Sequence, residues 1–177
     1  MPFVSPRRPS PGNYHPYYQK YMDLLPDGDI LQFMEEQGET AAQFFAGIGE
    51  EQADIRYAPG KWSIREVAGH VSDTERVFAY RALRFSRGDD TPLPGFEQDI
   101  YVKNGAANDR SMLSLAEEFR QLRISNVLLF RGFTPEMWQR RGTASDAPII
   151  TAAIPFLMAG HLQHHLNMIR NDYLKNI

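Results

Sequence analysis

The spacing of hydrophobic residues predicts four long amphipathic helices. Apolar side chains recur every three or four residues in four segments, which is the period of an α-helix with one buried face. Asp29 is the expected N-cap of the first helix, and Ser63 with Glu66 forms a capping box at the start of the second. The predicted helices cover about 29–48, 63–86, 111–131 and 151–174.

The segments outside these helices carry breaker residues instead of a periodic pattern. Residues 1–26 are rich in proline, which fixes φ and removes hydrogen-bond donors, so they are expected to form an extended N-terminal arm. Proline and glycine in the segment 88–109 predict a long connection without regular structure. No set of strands is evident. The pattern therefore predicts an all-α fold, an antiparallel four-helix bundle over 27–177, with tyrosines pinning the arm to it: Tyr14, Tyr17, Tyr18 and Tyr21.

The charge balance argues against nucleic acid as a partner. Lys and Arg total 19 against 22 Asp and Glu, which gives a formal net charge of -3. A nucleic-acid-binding domain normally carries a basic surface, and this chain has no such excess. The arginines of the second predicted helix are interpreted as a solvated face whose stems pack on the core: Arg76, Arg81, Arg84 and Arg87.

Cysteine content and hydropathy indicate the cellular compartment to expect for this chain. The chain has no cysteine, so disulfides, thiolate metal ligands and a cysteine nucleophile are excluded. No apolar run approaches the roughly 20 residues that a membrane-spanning helix needs. The proline- and arginine-rich start of the chain does not resemble a signal peptide. A cytoplasmic protein without membrane partners is expected.

Two of the five histidines fall inside the apolar face of the last predicted helix. His161 and His165 lie one turn apart, so their side chains point to a common spot. A buried polar group without a partner costs roughly 1–3 kcal/mol, and a metal ion would satisfy both imidazoles at once. The alternative is two core histidines, each bonded to a carbonyl or carboxylate. Spacing alone leaves both readings open.

A third histidine favours the metal. His70 lies on the shoulder of the apolar stripe of the second helix, and side chains on facing helices of a bundle can converge on one core site. Three neutral imidazoles leave a coordination position open, which is the usual layout of a catalytic metal. His15, in the arm, is expected to be solvated.

No general base stands at a motif-defined position. His161 and His165 have the spacing of an H-E-x-x-H motif, but its glutamate is absent, and no Glu precedes a histidine by three residues as in di-iron bundles. An acid or base would have to come from nearby carboxylates, each of which is interpreted first as a surface or supporting residue. The candidates are Glu66, Asp73 and Glu75 on the second helix, and Glu97 and Asp99 in the long connection.

Several blocks of the sequence resemble the DinB-like superfamily, which includes YfiT-type proteins assigned as metal-dependent hydrolases. The resemblance covers roughly 27–174 and is most specific in the second and last helices. The similar blocks are 61–70 (KWSIREVAGH), 73–76 (DTER), 79–84 (AYRALR), 88–89, 92–96 and 159–166 (AGHLQHHL).

The resemblance implies a four-helix bundle that binds Ni²⁺ or Zn²⁺ through His70, His161 and His165. It also implies a homodimer, and an enzyme that uses a low-molecular-weight thiol or acts as a hydrolase. The expected function is therefore a metal-dependent S-transferase or hydrolase. A non-catalytic dimerisation or ligand-binding module with a structural metal is the alternative. The net charge disfavours a third possibility, a stress-response protein on DNA or membranes.

Overall fold

The computed structural model describes residues 4–175, and its regular structure is mostly helical. The helices are α1 (Gln19–Met22), α2 (Ile30–Ala46), α3 (Glu50–Ala53), α4 (Ile64–Ser86), α5 (Gln98–Asn104), α6 (Met112–Arg131), α7 (Pro135–Gln139) and α8 (Ile154–Met168). Short 3-10 segments cover Pro16–Tyr18, Ala107–Asp109 and Thr151–Ala153, and a π-helical turn covers Ile169–Tyr173. None of the helices within 4–175 is long and apolar enough to span a bilayer.

The four long helices α2, α4, α6 and α8 form the bundle, as the hydrophobic pattern predicts. Their N-caps include the expected Asp29 and the capping box of Ser63 with Glu66. Helix α6 packs against α2 and α4, and α8 packs against α4 and α2. The order around the bundle is therefore α2, α6, α4, α8, which differs from the order along the chain.

The hydrophobic core is divided into two clusters, and the division shows the directions of the helices. One cluster contains the starts of α2 and α8 and the ends of α4 and α6, with Phe85, Phe130 and Leu157 among its members. The other contains the ends of α2 and α8 and the starts of α4 and α6. Helices α2 and α8 thus run one way, and α4 and α6 run the opposite way.

The long connection between α4 and α6 is more ordered than its composition predicts. Its prolines and glycines were expected to preclude regular structure, yet it contains α5 and the 3-10 segment Ala107–Asp109. Because α4 and α6 run in the same direction, this connection must return along the whole bundle. It is held at one end by Leu93, bridged to Ala144, and at the other by Ala107, packed against Gly69. Tertiary contacts therefore override the local breakers.

A small hairpin is the second departure from the expected fold. Strands β1 (Arg141–Ala144) and β2 (Ala147–Ile150) pair antiparallel through a turn in which Ser145 and Asp146 have positive φ. The strands are too short for an alternating pattern to stand out in the sequence. The hairpin also corrects the interpretation of Arg81, which is buried and donates a hydrogen bond to Ser145 Oγ at 2.9 Å.

The N-terminal arm packs on the bundle over its described part. Tyr14 and Tyr21 are buried, whereas Tyr17 is exposed. The Arg8 guanidinium donates to the carbonyls of Met22 and Leu25 at 2.8 and 2.9 Å and so fixes the fold of the arm. The backbone is extended only in part, since Pro16–Met22 is helical. Residues 1–3 and 176–177 lie outside the described part, and the domain division at 26/27 stays a prediction.

Candidate metal centre

Three histidines from two helices meet in the bundle interior. His70 lies on α4, and His161 and His165 lie one turn apart on α8, each only 3–7% exposed. His161 Nε2 lies 3.1 Å from His70 Nε2 and 3.1 Å from His165 Nε2. One nitrogen from each ring lies within 4.8 Å of the other two. The structure thus brings together the three imidazoles that the sequence predicted as ligands.

Hydrogen bonding alone cannot satisfy this arrangement. In a neutral imidazole one ring nitrogen donates a hydrogen bond and the other accepts one. His161 Nε2 can therefore form a hydrogen bond through only one of its two short contacts. His70 Nδ1 and His165 Nδ1 are buried and have no hydrogen-bond partner. Metal–nitrogen bonds of about 2.1 Å at a tetrahedral angle put two nitrogens about 3.4 Å apart, close to the two short separations here. The donor set therefore fits a divalent ion.

Burial keeps these imidazoles in the form that binds metal. Desolvation lowers the pKa of His70 to about 4, although the nearby Asp99 carboxylate opposes the shift. Desolvation also lowers the pKa of His161 well below its ordinary value, and repulsion from His165 and His70 adds to it. Desolvation likewise lowers the pKa of His165 well below its ordinary value, and repulsion from His70 and His164 adds to it. All three rings are consequently neutral at pH 7, with lone pairs available for coordination.

Aromatic residues enclose the cluster on two sides. The Trp62 ring lies 4.8 Å from the His70 ring, just before α4 begins. From the arm, Tyr21 meets His161 edge-on, with ring centroids 5.6 Å apart. Gly160 permits this approach, because a Cβ there would lie 2.3 Å from the backbone oxygen of Tyr21. The arm is therefore part of the wall around the site.

Only a weak signal in the sequence points to this contribution of the arm. A glycine inside a helix costs about 1 kcal/mol relative to alanine, and it often marks a close backbone approach. Gly160, directly before His161, is such a position, but nothing local identifies Tyr21 as its neighbour. The other two histidines lie outside the cluster. His15 is exposed, as expected, and His164 is partly exposed beside Tyr21.

A groove leads from the histidine cluster to the surface. Its volume is about 370 Å³, and it lies between the loop before α4, the start of α5 and the end of α8. The lining residues are Tyr57, Gly60, Lys61, Trp62, Gln98, Asp99, His165, Met168 and Tyr173. Because His165 lines it, the groove gives a small molecule access to the cluster.

Glu75, one of the predicted acid–base candidates, is engaged in a separate buried network. Its carboxylate accepts hydrogen bonds from Arg123 Nη2 at 2.6 Å and from Asn126 Nδ2 at 3.0 Å. Arg123 also donates to Gln37 Oε1 at 3.1 Å, and Gln37 donates to the carbonyl of Ala159 at 3.0 Å. Each helix of the bundle contributes to this network, which gives Glu75 a structural role.

The candidates Glu66 and Asp73 lie on α4, on either side of His70 in the chain. Burial alone would raise the pKa of Glu66, but hydrogen bonds from Arg56, Asn108 and Ser63 lower it to about 2. Asp73 differs, because burial raises its pKa while Arg76 opposes the shift. Both line a small cavity of about 110 Å³ together with His70. Of the two, Asp73 is the better suited to proton transfer.

The carboxylates of the long connection lie on the outer side of the groove. Glu97 is exposed and precedes α5 as its N-cap residue. Asp99 lines the groove and is close enough to His70 to influence its pKa. None of the carboxylates of residues 4–175 is hydrogen-bonded to one of the three clustered imidazoles.

Comparisons with known proteins show a match to a protein family and a similar fold. The sequence profile of the DinB superfamily matches residues 34–169. In fold, the chain is similar to YfiT from Bacillus subtilis, described as a probable metal-dependent hydrolase with an unusual four-helix bundle topology. That match has a TM-score of 0.71 at 15% identity and covers 97% of this chain and 94% of the other. A search of curated proteins gives no match.

Proposed function

The chain belongs to the DinB superfamily, and from this membership we propose that it is a metal-dependent enzyme whose divalent ion is held by His70, His161 and His165. The observation that carries the proposal is the convergence of three buried, neutral imidazoles that lack enough hydrogen-bond partners among the described residues. A cation is the species that would satisfy them together.

The chemistry follows from the donor set. An ion bound by three imidazoles supplies a Lewis acid with a free coordination position, which lowers the pKa of a water or thiol there. The residues of the chain supply the surroundings. The rings of Trp62 and Tyr21 hold the imidazoles in place and exclude water, and the groove beside His165 admits the substrate. These features suit either a thiol-dependent S-transferase or a hydrolase.

Asp73 is our candidate for proton transfer in such a reaction. Its pKa is raised by burial, and it lies at the cavity that His70 also lines. Asp73 has only a long ion pair, with Arg76 at 3.8 Å, whereas Glu66 and Glu75 are held by Arg56 and Arg123, each at 2.6 Å. Ni²⁺ and Zn²⁺ both suit imidazole donors. The homodimer and the low-molecular-weight thiol cosubstrate stay predictions.

One observation favours a second candidate function, a ligand-binding or dimerisation module with a structural metal. In the described part of the chain no carboxylate contacts a clustered imidazole by a hydrogen bond, as it often does at catalytic metals. The ion would then tie α4 to α8 without turning over a substrate. Chelation would lower thermal stability, and no ester or thiol substrate would react.

Metal analysis of three proteins tests the proposal. The natural chain should retain about one divalent ion after extensive dialysis, because three donors bind cooperatively. His161→Ala should lose it. His164→Ala is the matched control, since it removes an imidazole from the same turn of α8 that does not belong to the cluster, and it should retain the ion.

Turnover then separates the two functions. For an enzyme, ester hydrolysis or thiol transfer should vanish on chelation, return with added Ni²⁺ or Zn²⁺, and stay absent in His161→Ala. Full metal retention by His161→Ala would contradict the ligand assignment. Metal binding that stabilises the fold without any turnover would support the structural alternative.

A further inference from the structure

We propose that the groove beside the histidine cluster binds a small zwitterionic molecule, with Lys61 pairing with its anionic group and Asp99 with its cationic group. The inference rests on the proposed function, because the groove reaches the metal ligands through His165. It adds the substrate class, which neither the family profile nor the metal ligands indicate.

The size and lining of the groove suit a small molecule. Its volume of about 370 Å³ falls within the range of small-ligand pockets. Part of its wall is aromatic, since Tyr57 and Tyr173 lie with ring centroids 4.9 Å apart and Trp62 adjoins His70. The Tyr173 hydroxyl is engaged, since it donates to the carbonyl of Trp62 at 2.8 Å. These contacts give the groove a preformed aromatic wall.

Two opposite charges in the lining lack ionic partners. Within residues 4–175, no salt bridge involves Lys61 or Asp99, although both line the groove. The Lys61 ammonium lies 5.9 Å from the centroid of the Tyr57 ring, which keeps it at the groove. Asp99 lies in the first turn of α5 and, like His165, lines the groove.

Other charged residues in this part of the chain have ionic partners, unlike Lys61 and Asp99. Arg56 pairs with Glu66 at 2.6 Å, and Arg65 pairs with Glu50 at 2.7 Å and with Asp54 at 3.0 Å. The charges of these residues are neutralised within the pairs, and none of them lines the groove. The charges left for a ligand are therefore one ammonium, from the loop before α4, and one carboxylate, from α5.

A ligand with both charges fits this lining better than a ligand with one. Lys61 and Asp99 do not pair with each other, so each keeps its own recognition point. A singly charged ligand would pair with one of them and leave the other without an ionic partner. A zwitterion pairs with both, and its uncharged middle can pack on the aromatic side chains of the lining.

Cobalt-loaded protein and four small thiols test this inference. A thiolate bound to Co²⁺ gives a charge-transfer absorption band, so titration yields an affinity without any turnover assay. The probes are cysteine with both charges, 3-mercaptopropionate with the anionic group, cysteamine with the cationic group, and 2-mercaptoethanol with neither. Each charge should strengthen binding about three- to fivefold at this partly exposed site. Cobalt content after gel filtration checks that no probe strips the ion.

Two variants test which residue recognises which charge of the ligand, and a third variant is the control. Lys61→Met should abolish the advantage of the probes with a carboxylate and leave that of cysteamine unchanged. Asp99→Asn should do the reverse. Lys103→Met removes a lysine of the same short helix as Asp99 that does not line the groove, and it should change neither preference.

The outcomes separate this inference from the proposed function. Equal affinities for the four thiols, or equal losses in Lys61→Met and Asp99→Asn for every probe, would overturn charge recognition while leaving the metal site intact. Failure of cobalt to bind would overturn the proposed function and this inference with it. Bound cobalt that gives no band with any thiol would overturn this inference and the thiol-dependent form of the proposed function, and would leave the metal site intact.

Discussion

The bundle buries two polar clusters side by side, and they are satisfied in different ways. In the Glu75–Arg123 network, opposite charges pair at 2.6 Å, and Asn126 and Gln37 complete the hydrogen bonds. In the histidine cluster, three like groups face one another, and two ring nitrogens have no partner. The first is internally complete, whereas the second requires something from outside.

This difference separates buried polar groups that stabilise the fold from buried polar groups that are available to bind an ion or a ligand. A buried ion pair with complete hydrogen bonds fixes how helices pack, and removing one partner is costly. Buried imidazoles with orphaned nitrogens destabilise the fold unless an ion or ligand arrives. Both clusters lie between the two apolar parts of the core. Their separate roles suggest three ways to test the comparison.

The largest expected effect comes from breaking the ion pair. Glu75→Ala leaves the Arg123 guanidinium buried without its carboxylate, so the free energy of unfolding should fall by about 3–5 kcal/mol. Urea unfolding followed by circular dichroism measures the change.

Two further variants sharpen that measurement. Replacing both partners, Glu75→Leu with Arg123→Leu, should recover much of the loss, because no uncompensated charge remains. Glu39→Ala removes a carboxylate that pairs with Arg120 at the surface and should leave the unfolding midpoint almost unchanged. A tolerated Glu75→Ala would show that the network is not what ties the helices together.

A smaller effect should come from two glycines, each of which adjoins one cluster. A Cβ at Gly38 would lie 2.5 Å from Arg123 Cγ, and a Cβ at Gly160 would lie 2.3 Å from the Tyr21 backbone oxygen. Gly38→Ala and Gly160→Ala should each cost about 2 kcal/mol through overpacking.

The two glycine variants should differ in metal binding. Gly160→Ala displaces Tyr21 from His161 and should weaken the retention of metal, whereas Gly38→Ala should leave it unchanged. Competition with a chromophoric chelator measures both affinities. Equal affinities would mean that the arm does not support the histidine cluster.

The pH dependence of the metal-free protein has the smallest expected effect per step, about 1.4 kcal/mol for one pH unit and one buried histidine. The folded-state pKa of His70, about 4, lies below the ordinary value of about 6.5, so the unfolded chain binds more protons between these values. Stability should therefore fall as pH decreases through this window, by about 1.4 kcal/mol per pH unit for each buried histidine.

Substituting one histidine tests the sign and size of that slope. His70→Leu should reduce the slope of unfolding free energy against pH by about 1.4 kcal/mol per unit below pH 6.5. Urea titrations of the metal-free proteins at several pH values measure it. An unchanged slope would indicate that His70 is protonated as readily in the folded state as in the unfolded chain.

Local patterns in the sequence were sufficient to predict the four long helices, and they pointed to the three histidines that cluster in the structure. Periodicity, the N-cap Asp29 and the capping box at Ser63 set the helix boundaries nearly as observed, because these signals act within a few residues. The three histidines were proposed as ligands because two imidazoles at i and i+4 share a face and His70 lies on the shoulder of the second helix's apolar stripe. The DinB-like resemblance implies the same three. Their convergence is seen in the structure, and metal binding itself stays a proposal.

The features that depend on distant contacts were missed or only partly anticipated. The helix α5 and the hairpin form where composition opposes them, since Leu93, Ala144 and Arg81 hold those segments in place. The acid–base candidates could not be ranked from spacing. Glu75 could be set aside in favour of Asp73 only because the structure shows its ion pair with Arg123, which lies far away in the chain.

The amino-acid sequence by itself determined which faces of the helices are apolar and where imidazoles interrupt them, because helical geometry fixes both over one or two turns. The tertiary structure alone decided the order of helices around the bundle, the path of the long connection and the contact of Tyr21 with His161. It also left Lys61 and Asp99 unpaired at one groove. Such outcomes depend on side chains far apart in the chain, whose packing no local pattern encodes.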